Sequence, residues 1–102
     1  MFKVEYDPEV KDDLSNLPLN ILQEVAEYFK NYENDPFKYS SKLYNQGGLN
    51  LQGYRKTYVA NATYRIVIKI ENNVAKVVEV VAVGQRQNKE VYLKAHNRIN
   101  NK

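Results

Sequence analysis

The 102-residue sequence contains no cysteine, no tryptophan and a single histidine. Without thiols, no disulfide staples the chain and no thiolate holds zinc. One histidine falls short of the three or four convergent ligands that a zinc site gathers, so no metal is expected. No glycine-rich phosphate loop of the Walker type occurs, and no cofactor is expected. No apolar run approaches the roughly 18 residues of a membrane span, and Met1-Phe2-Lys3-Val4-Glu5-Tyr6 alternates charge with apolar residues where a signal peptide would be continuously apolar. A cytoplasmic protein with no membrane association is expected. No serine stands where a partner would activate it as a nucleophile, and Glu79 and Glu90 form no recognisable catalytic pair.

Arginine is missing from the whole first half. Residues 1–50 carry five lysines against nine acids, a net of −4, whereas residues 51–102 carry six lysines and four arginines against three acids, a net of +7. The modest total of +3 hides this polarity. A one-sided basic field steers and holds phosphates, so the second half is expected to face a polyanion.

A chain of this length makes one domain, residues 1–102, able to bury about two-thirds of the surface its unfolded form exposes. Phe2, Val4 and Tyr6 alternate with Lys3 and Glu5, the period of a half-buried strand. Asp7 then offers an N-cap oxygen, Pro8 suits a first helical position, and Val10, Leu14 and Leu17 make one apolar stripe. Pro18 separates this helix from a second, whose apolar face carries Ile21, Val25 and Phe29 and which ends at Asn34-Asp35-Pro36. Residues 36–48 read as an irregular connection anchored by Leu43. Leu49 to Val59, Thr63 to Ile70 and Val74 to Val83 read as strands, the first bent at Gly53 and the last two joined by a tight turn at Glu71-Asn72-Asn73. Residues 88–100 fit a short closing helix. The expected fold is α+β: two N-terminal helices on one face of a mainly antiparallel four-stranded sheet, in the order β-α-α-β-β-β, with a C-terminal helix.

Strand alternation sorts the candidate site residues. Tyr64, Ile66, Ile68 and Ile70 should pack under the helices, leaving Arg65 and Lys69 on the opposite, uncovered face. In the preceding strand Arg55 and Thr57 share one parity and Tyr54, Lys56 and Tyr58 the other. Arg86 lies just beyond the valine-rich strand, and Tyr92 follows where a helix could point it back over the strand end. Convergence of Arg55, Arg65 and Arg86 would make a basic groove with aromatic rings on which bases stack. His96, four residues after Tyr92, is the one side chain whose ordinary titration lies near neutrality, and so the candidate for proton transfer. A site this poor in acid–base groups suits RNA cleavage by the neighbouring 2′-hydroxyl. There the substrate supplies the nucleophile, and the protein aligns it and stabilises developing charge.

Several of these residues stand in a familiar order. Ser41-Lys42-Leu43, Tyr54-Arg55, Tyr64-Arg65-Ile66-Val67, Val83-Gly84-Gln85-Arg86, Glu90-Val91-Tyr92 and Arg98-Ile99 together resemble the RelE branch of the RelE/ParE toxin superfamily, over nearly the whole chain. The resemblance implies the toxin of a type II toxin–antitoxin pair, a ribosome-dependent endoribonuclease that cuts mRNA in the A site of the 30S subunit and inhibits translation. By position, Arg65 would stabilise the scissile phosphate, Arg86 would act on the phosphate or leaving oxygen, and Tyr92 would stack on or orient the base. Arg55, Lys56 and Lys69 would bind RNA. The chain departs from the family pattern at Thr57, where a lysine thought to activate the 2′-hydroxyl is expected; Lys56 is adjacent but of opposite parity. Implied partners are a RelB-like antitoxin, the ribosome and mRNA, and the toxin–antitoxin complex would bind operator DNA. Two other readings stay open: a ParE-like inhibitor of DNA gyrase that acts by protein contact, and an attenuated toxin working mainly in the antitoxin and operator complex.

Overall fold

The computed structural model describes residues 1–43 and 53–83. The elements are β1 (Lys3–Tyr6), α1 (Val10–Ser15), α2 (Leu19–Asn34), β2 (Ser41–Lys42), β3 (Tyr54–Val59), β4 (Tyr64–Glu71) and β5 (Val74–Ala82). They form one sheet in the order β1-β5-β4-β3-β2. The expected C-terminal helix at 88–100 lies outside the described residues.

The sheet has five strands where four were expected, because Ser41 and Lys42 pair antiparallel with Lys56 and Arg55. A two-residue strand is too short to show a period, so this piece of the connection reads as irregular in the sequence. The other pairings are antiparallel except that of β1, which runs parallel beside β5 with Lys3 opposite Val74 and Tyr6 opposite Val77. The first strand thus lies against the last described one, and the helices between them cover one face.

The polar residues around the helices explain where they start and stop. Asp7 Oδ1 accepts a hydrogen bond from the Glu9 N–H at 3.0 Å, and Val10 N–H donates to the Asp7 carbonyl at 2.9 Å. Asp7 therefore shapes a turn over Pro8 and Glu9, and α1 begins at Val10 rather than at Pro8. Ser15 and Asn16 side chains both take the Asp12 carbonyl, at 2.8 and 3.0 Å, and close the helix before Pro18. Asp35 Oδ1 accepts from the N–H groups of Phe37 and Lys38, which ends α2 in a turn.

The core joins Val10, Ile21, Val25 and Tyr32 of the helices to Val59, Ile66, Ile68, Ala75, Val77 and Val80 of the sheet. Each fully buried aliphatic side chain of this set contributes on the order of 1.5–3 kcal/mol. β5 keeps its valines facing the helices only by means of a bulge: Val67 pairs with Glu79 and Ile68 with Val77, leaving Val78 as the extra residue. The bulge shifts parity, so Ala75 and Val77 before it and Val80 after it all reach the core. Asp13 of α1 braces the strand there, its Oδ2 accepting from the Val80 N–H at 3.0 Å.

Two turns use left-handed backbone. Asn72 and Asn73, both at positive φ, close the β4–β5 hairpin as expected for a tight turn with the right-handed twist of its strands. The β3–β4 turn places Ala60, Asn61 and Ala62 consecutively at φ of 53°, 56° and 66°. Glu24 of α2 supports it, both carboxylate oxygens standing 3.2 Å from the Ala60 nitrogen. Gly53, at φ 87°, opens β3, and its carbonyl accepts from Ile70 N–H at 3.1 Å. Among the described residues no helix is long and apolar enough to cross a membrane.

Candidate functional site

β3 and β4 pair without interruption, with Tyr58 opposite Arg65, Lys56 opposite Val67 and Tyr54 opposite Lys69. Because side chains alternate along a strand, all six project from the face away from the helices. Cation and ring meet repeatedly there. The Arg65 guanidinium carbon lies 5.1 Å from the centre of the Tyr58 ring, Lys56 Nζ lies 5.6 Å from the same ring, and Lys69 Nζ lies 5.2 Å from the Tyr54 ring. Arg65 Nη2 also donates to the Tyr58 hydroxyl oxygen at 3.2 Å. Such a pairing is worth about 0.5–1 kcal/mol when exposed and about 2 kcal/mol or more when desolvated.

Exposure divides this group. Arg65 is 1% exposed, whereas Tyr58, its partner across the strands, is 43% exposed. Arg65 therefore does not stand on an open surface as expected: the face it shares is buried around it, with Val67, Val78 and Glu79 all inaccessible. Glu79, which forms no recognisable catalytic pair with Glu90 in the sequence, has a different neighbour here. It pairs with Val67 while Arg65 pairs with Val81, so carboxylate and guanidinium are diagonal neighbours on adjacent strands. A lone charge inside Val77-Val78-Glu79-Val80-Val81 was the available signal, since a buried strand accepts a carboxylate only at a cost of several kcal/mol unless it is compensated.

The lower end of the face is mixed in sign. Lys69 and Lys76 are register partners, but Glu5 and Glu71 line the same cleft of about 330 Å³ beside Asn72 and Val74. Burial first, and then the Glu71 carboxylate, push the Tyr54 phenol above its ordinary value, so it remains a protonated donor at neutral pH. Lys56 and Arg65 bring two cations to the Tyr58 ring, with the buried Glu79 carboxylate diagonal to Arg65. Among the described residues no three histidine, cysteine, aspartate or glutamate side chains come together as a metal site.

The arrangement of strands and helices has close parallels among solved structures. An isolated RelE toxin from E. coli matches with a TM-score of 0.69 and 17% identity, over 97% of this chain and 99% of that one. The toxin–antitoxin complex RelBE2 from Mycobacterium tuberculosis gives a TM-score of 0.67 and 21% identity, over 80% of this chain and 98% of that one. The fold is RelE-like. An archaeal RelE–RelB complex from Pyrococcus horikoshii is also similar, with a TM-score of 0.61 and 19% identity over 83% of this chain and 98% of that one. No protein-family model and no curated protein matches the sequence.

On this RelE-like fold the odd residue of the sequence, Thr57, finds its place. It faces the helices, opposite Ile66, where its Oγ1 donates to the Tyr39 carbonyl at 2.6 Å and accepts from the Tyr32 hydroxyl at 2.5 Å. Lys56 is the residue on Arg65's side, and no bulge in β3 is needed to put it there. Arg55 shares the parity of Thr57 and does not converge with Arg65. Its Nε donates to Ser40 Oγ at 2.7 Å, its Nη2 donates to the Ser40 and Phe37 carbonyls at 2.8 and 3.3 Å, and its guanidinium lies 5.2 Å from the Phe37 ring centre. Arg55 thus ties residues 37–40 to β3. Arg86, Tyr92 and His96 lie outside the described residues.

Proposed function

We propose that this chain is the toxin of a type II toxin–antitoxin pair, an endoribonuclease that cuts mRNA in the ribosomal A site and so inhibits translation. The observation that carries the reading is the Lys56, Tyr58 and Arg65 cluster: two cations held against one half-exposed ring on a RelE-like sheet. The substrate 2′-oxygen attacks its own 3′-phosphate, the P–O5′ bond breaks, and a 2′,3′-cyclic phosphate and a 5′-hydroxyl end result. Cations beside that phosphate stabilise the charge that grows on it, and binding in the ribosome supplies the alignment. Arg65 and Lys56 are the charge-stabilising groups of the described part, with Lys69 further along the RNA path. Arg86 on the leaving oxygen, Tyr92 on the base and His96 in proton transfer complete the proposed set. Arginine is not the proton acceptor, because it keeps its proton at ordinary pH.

A RelB-like antitoxin that covers this basic face is the proposed partner, and the complex of the two would bind operator DNA. The neutralising segment is expected to be acidic or amphipathic, matching the charge it covers. The deciding experiment adds purified protein to a translation reaction and maps new mRNA ends, with gyrase supercoiling assayed in parallel. Ribosome-dependent cuts that fall about 100-fold or more with Arg65→Ala or Lys56→Ala are the expected result. Intact mRNA beside inhibited supercoiling would transfer the protein to the gyrase-inhibitor class.

A further inference from the structure

Tyr58 belongs to no assigned role, yet it is the half-exposed aromatic side chain on this face among the described residues. Tyrosines that serve packing in this protein look different: Tyr32 is wholly buried with its hydroxyl on Thr57, and Tyr54 is 3% exposed. Tyr58 covers no apolar core and instead meets two cations. Its hydroxyl accepts from Arg65 Nη2, its ring receives the Arg65 guanidinium, and Lys56 Nζ approaches the same ring. Arg65 is itself nearly inaccessible, so the exposed member of this pair is the Tyr58 side chain.

We propose that Tyr58 is a positioning residue for Arg65, its hydroxyl and ring together fixing where the guanidinium meets a substrate phosphate. The proposal rests on the nuclease reading and adds the group that aims its main cation. Ring and hydroxyl act in different directions. The ring limits the guanidinium to one stacking plane, while the hydroxyl selects which edge of it faces the rim. A guanidinium so aimed acts where charge grows on the phosphate as the bond breaks, so its alignment counts in the transition state more than in the bound substrate.

Two variants separate the parts: Tyr58→Phe keeps the ring and removes the acceptor, and Tyr58→Leu removes both. Cleavage is followed in the translation reaction, and affinity for a labelled single-stranded oligoribonucleotide is measured alongside. The expected result is a fall in kcat of about 10-fold for Tyr58→Phe and about 100-fold for Tyr58→Leu, with KM changed less than about 2-fold. In an Arg65→Lys background, which keeps a cation at the buried position, both losses should shrink to within about 3-fold, because residues acting as one unit are not additive. Full additivity, or a Tyr58→Phe protein equal to wild type, overturns the proposal; so does a raised KM at unchanged kcat, which would mark the ring as a stacking platform for a base. A wild-type protein that binds the oligonucleotide and cuts nothing removes the nuclease reading alone. The same cycle measured on affinity then decides Tyr58, coupling to Arg65 supporting it and additivity rejecting it. Wild-type protein that neither binds nor cuts overturns both.

Discussion

The two faces of the sheet are built from the same strands and have opposite chemistry. Toward the helices β4 presents Tyr64, Ile66, Ile68 and Ile70, which join one aliphatic core with Val25 and Tyr32. Away from them it presents Arg65, Val67 and Lys69, in register with Tyr58, Lys56 and Tyr54. The first face needs only shape complementarity, and each of its side chains gains by leaving water. The second buries a guanidinium and a carboxylate, groups that cost several kcal/mol to desolvate. A fold selected for stability alone would place aliphatic residues on both faces. Under the proposed function, the retained charges belong to the face that meets RNA.

The largest effect that tests this contrast is expected at the core. Ile66→Ala should cost about 2–5 kcal/mol of stability in urea denaturation, and any activity lost should return when the folded fraction is restored. The mirror experiment is Arg65→Met with Glu79→Leu. The double variant is expected to be at least as stable as wild type and inactive, whereas each single change, by removing one sign of charge from a buried face, should cost about 3–5 kcal/mol. A double variant less stable than either single would show that these charges hold the fold together, and the contrast between the faces would fail.

Much of this division could be read from the sequence, and the reasons it stopped where it did are physical. The alternation of Tyr64 to Ile70 and the parity of Tyr54, Lys56 and Tyr58 are local properties of a strand, and the structure keeps both. Asn72-Asn73 is likewise a local signal for left-handed backbone. The parallel partner of β1, by contrast, lies some seventy residues away in β5, and no periodicity encodes it. The Val78 bulge is hidden because a run of valines has no alternation to break. Arg55 and Arg65 are alike in residue type, but the parity of Arg55 puts it on the helix side, where Ser40 and Phe37 engage it. Burial of Arg65 depends on what packs across the face, which strand parity alone does not specify.

Thr57 offers an intermediate test of the same boundary. If the family's lysine belonged at this position, Thr57→Lys would raise activity. The structure predicts the reverse: an ammonium forced against Tyr32 and Ile66 should cost more than about 3 kcal/mol and add no cleavage. The gentler Thr57→Val leaves the Tyr32 hydroxyl buried without its acceptor and should cost about 1–3 kcal/mol, most of which Tyr32→Phe recovers. Tyr32 also gives this face a pH signature. Burial, the largest cause, pushes its phenol well above the ordinary value of 10.0. The folded state then holds a proton that the unfolded chain releases, so this contribution is complete below pH 10 and declines as pH rises beyond it. Urea midpoints measured from pH 9 upward should fall less steeply in Tyr32→Phe than in wild type.

The smallest expected effect lies at the turn that joins the faces. Ala60, Asn61 and Ala62 follow one another in left-handed backbone, and alanine enters that region only against a steric penalty of about 1 kcal/mol or more. Asparagine tolerates the conformation, and Ala60 is braced by Glu24 from the helix side, which leaves Ala62 as the strained position without that support. Ala62→Gly relieves the clash and raises the entropy of the unfolded chain, two terms of opposite sign. Because the native φ of 66° is the conformation an L-residue avoids, relief should win by about 0.5–1 kcal/mol, or a rise of about 2–8 °C in Tm. Activity should not change, since the turn sits at the end of both faces and contributes no charge to either. An unchanged or lower Tm would mean that the strain is already spread through β3 and β4, and with it the alignment of Tyr58 and Arg65 that those strands provide.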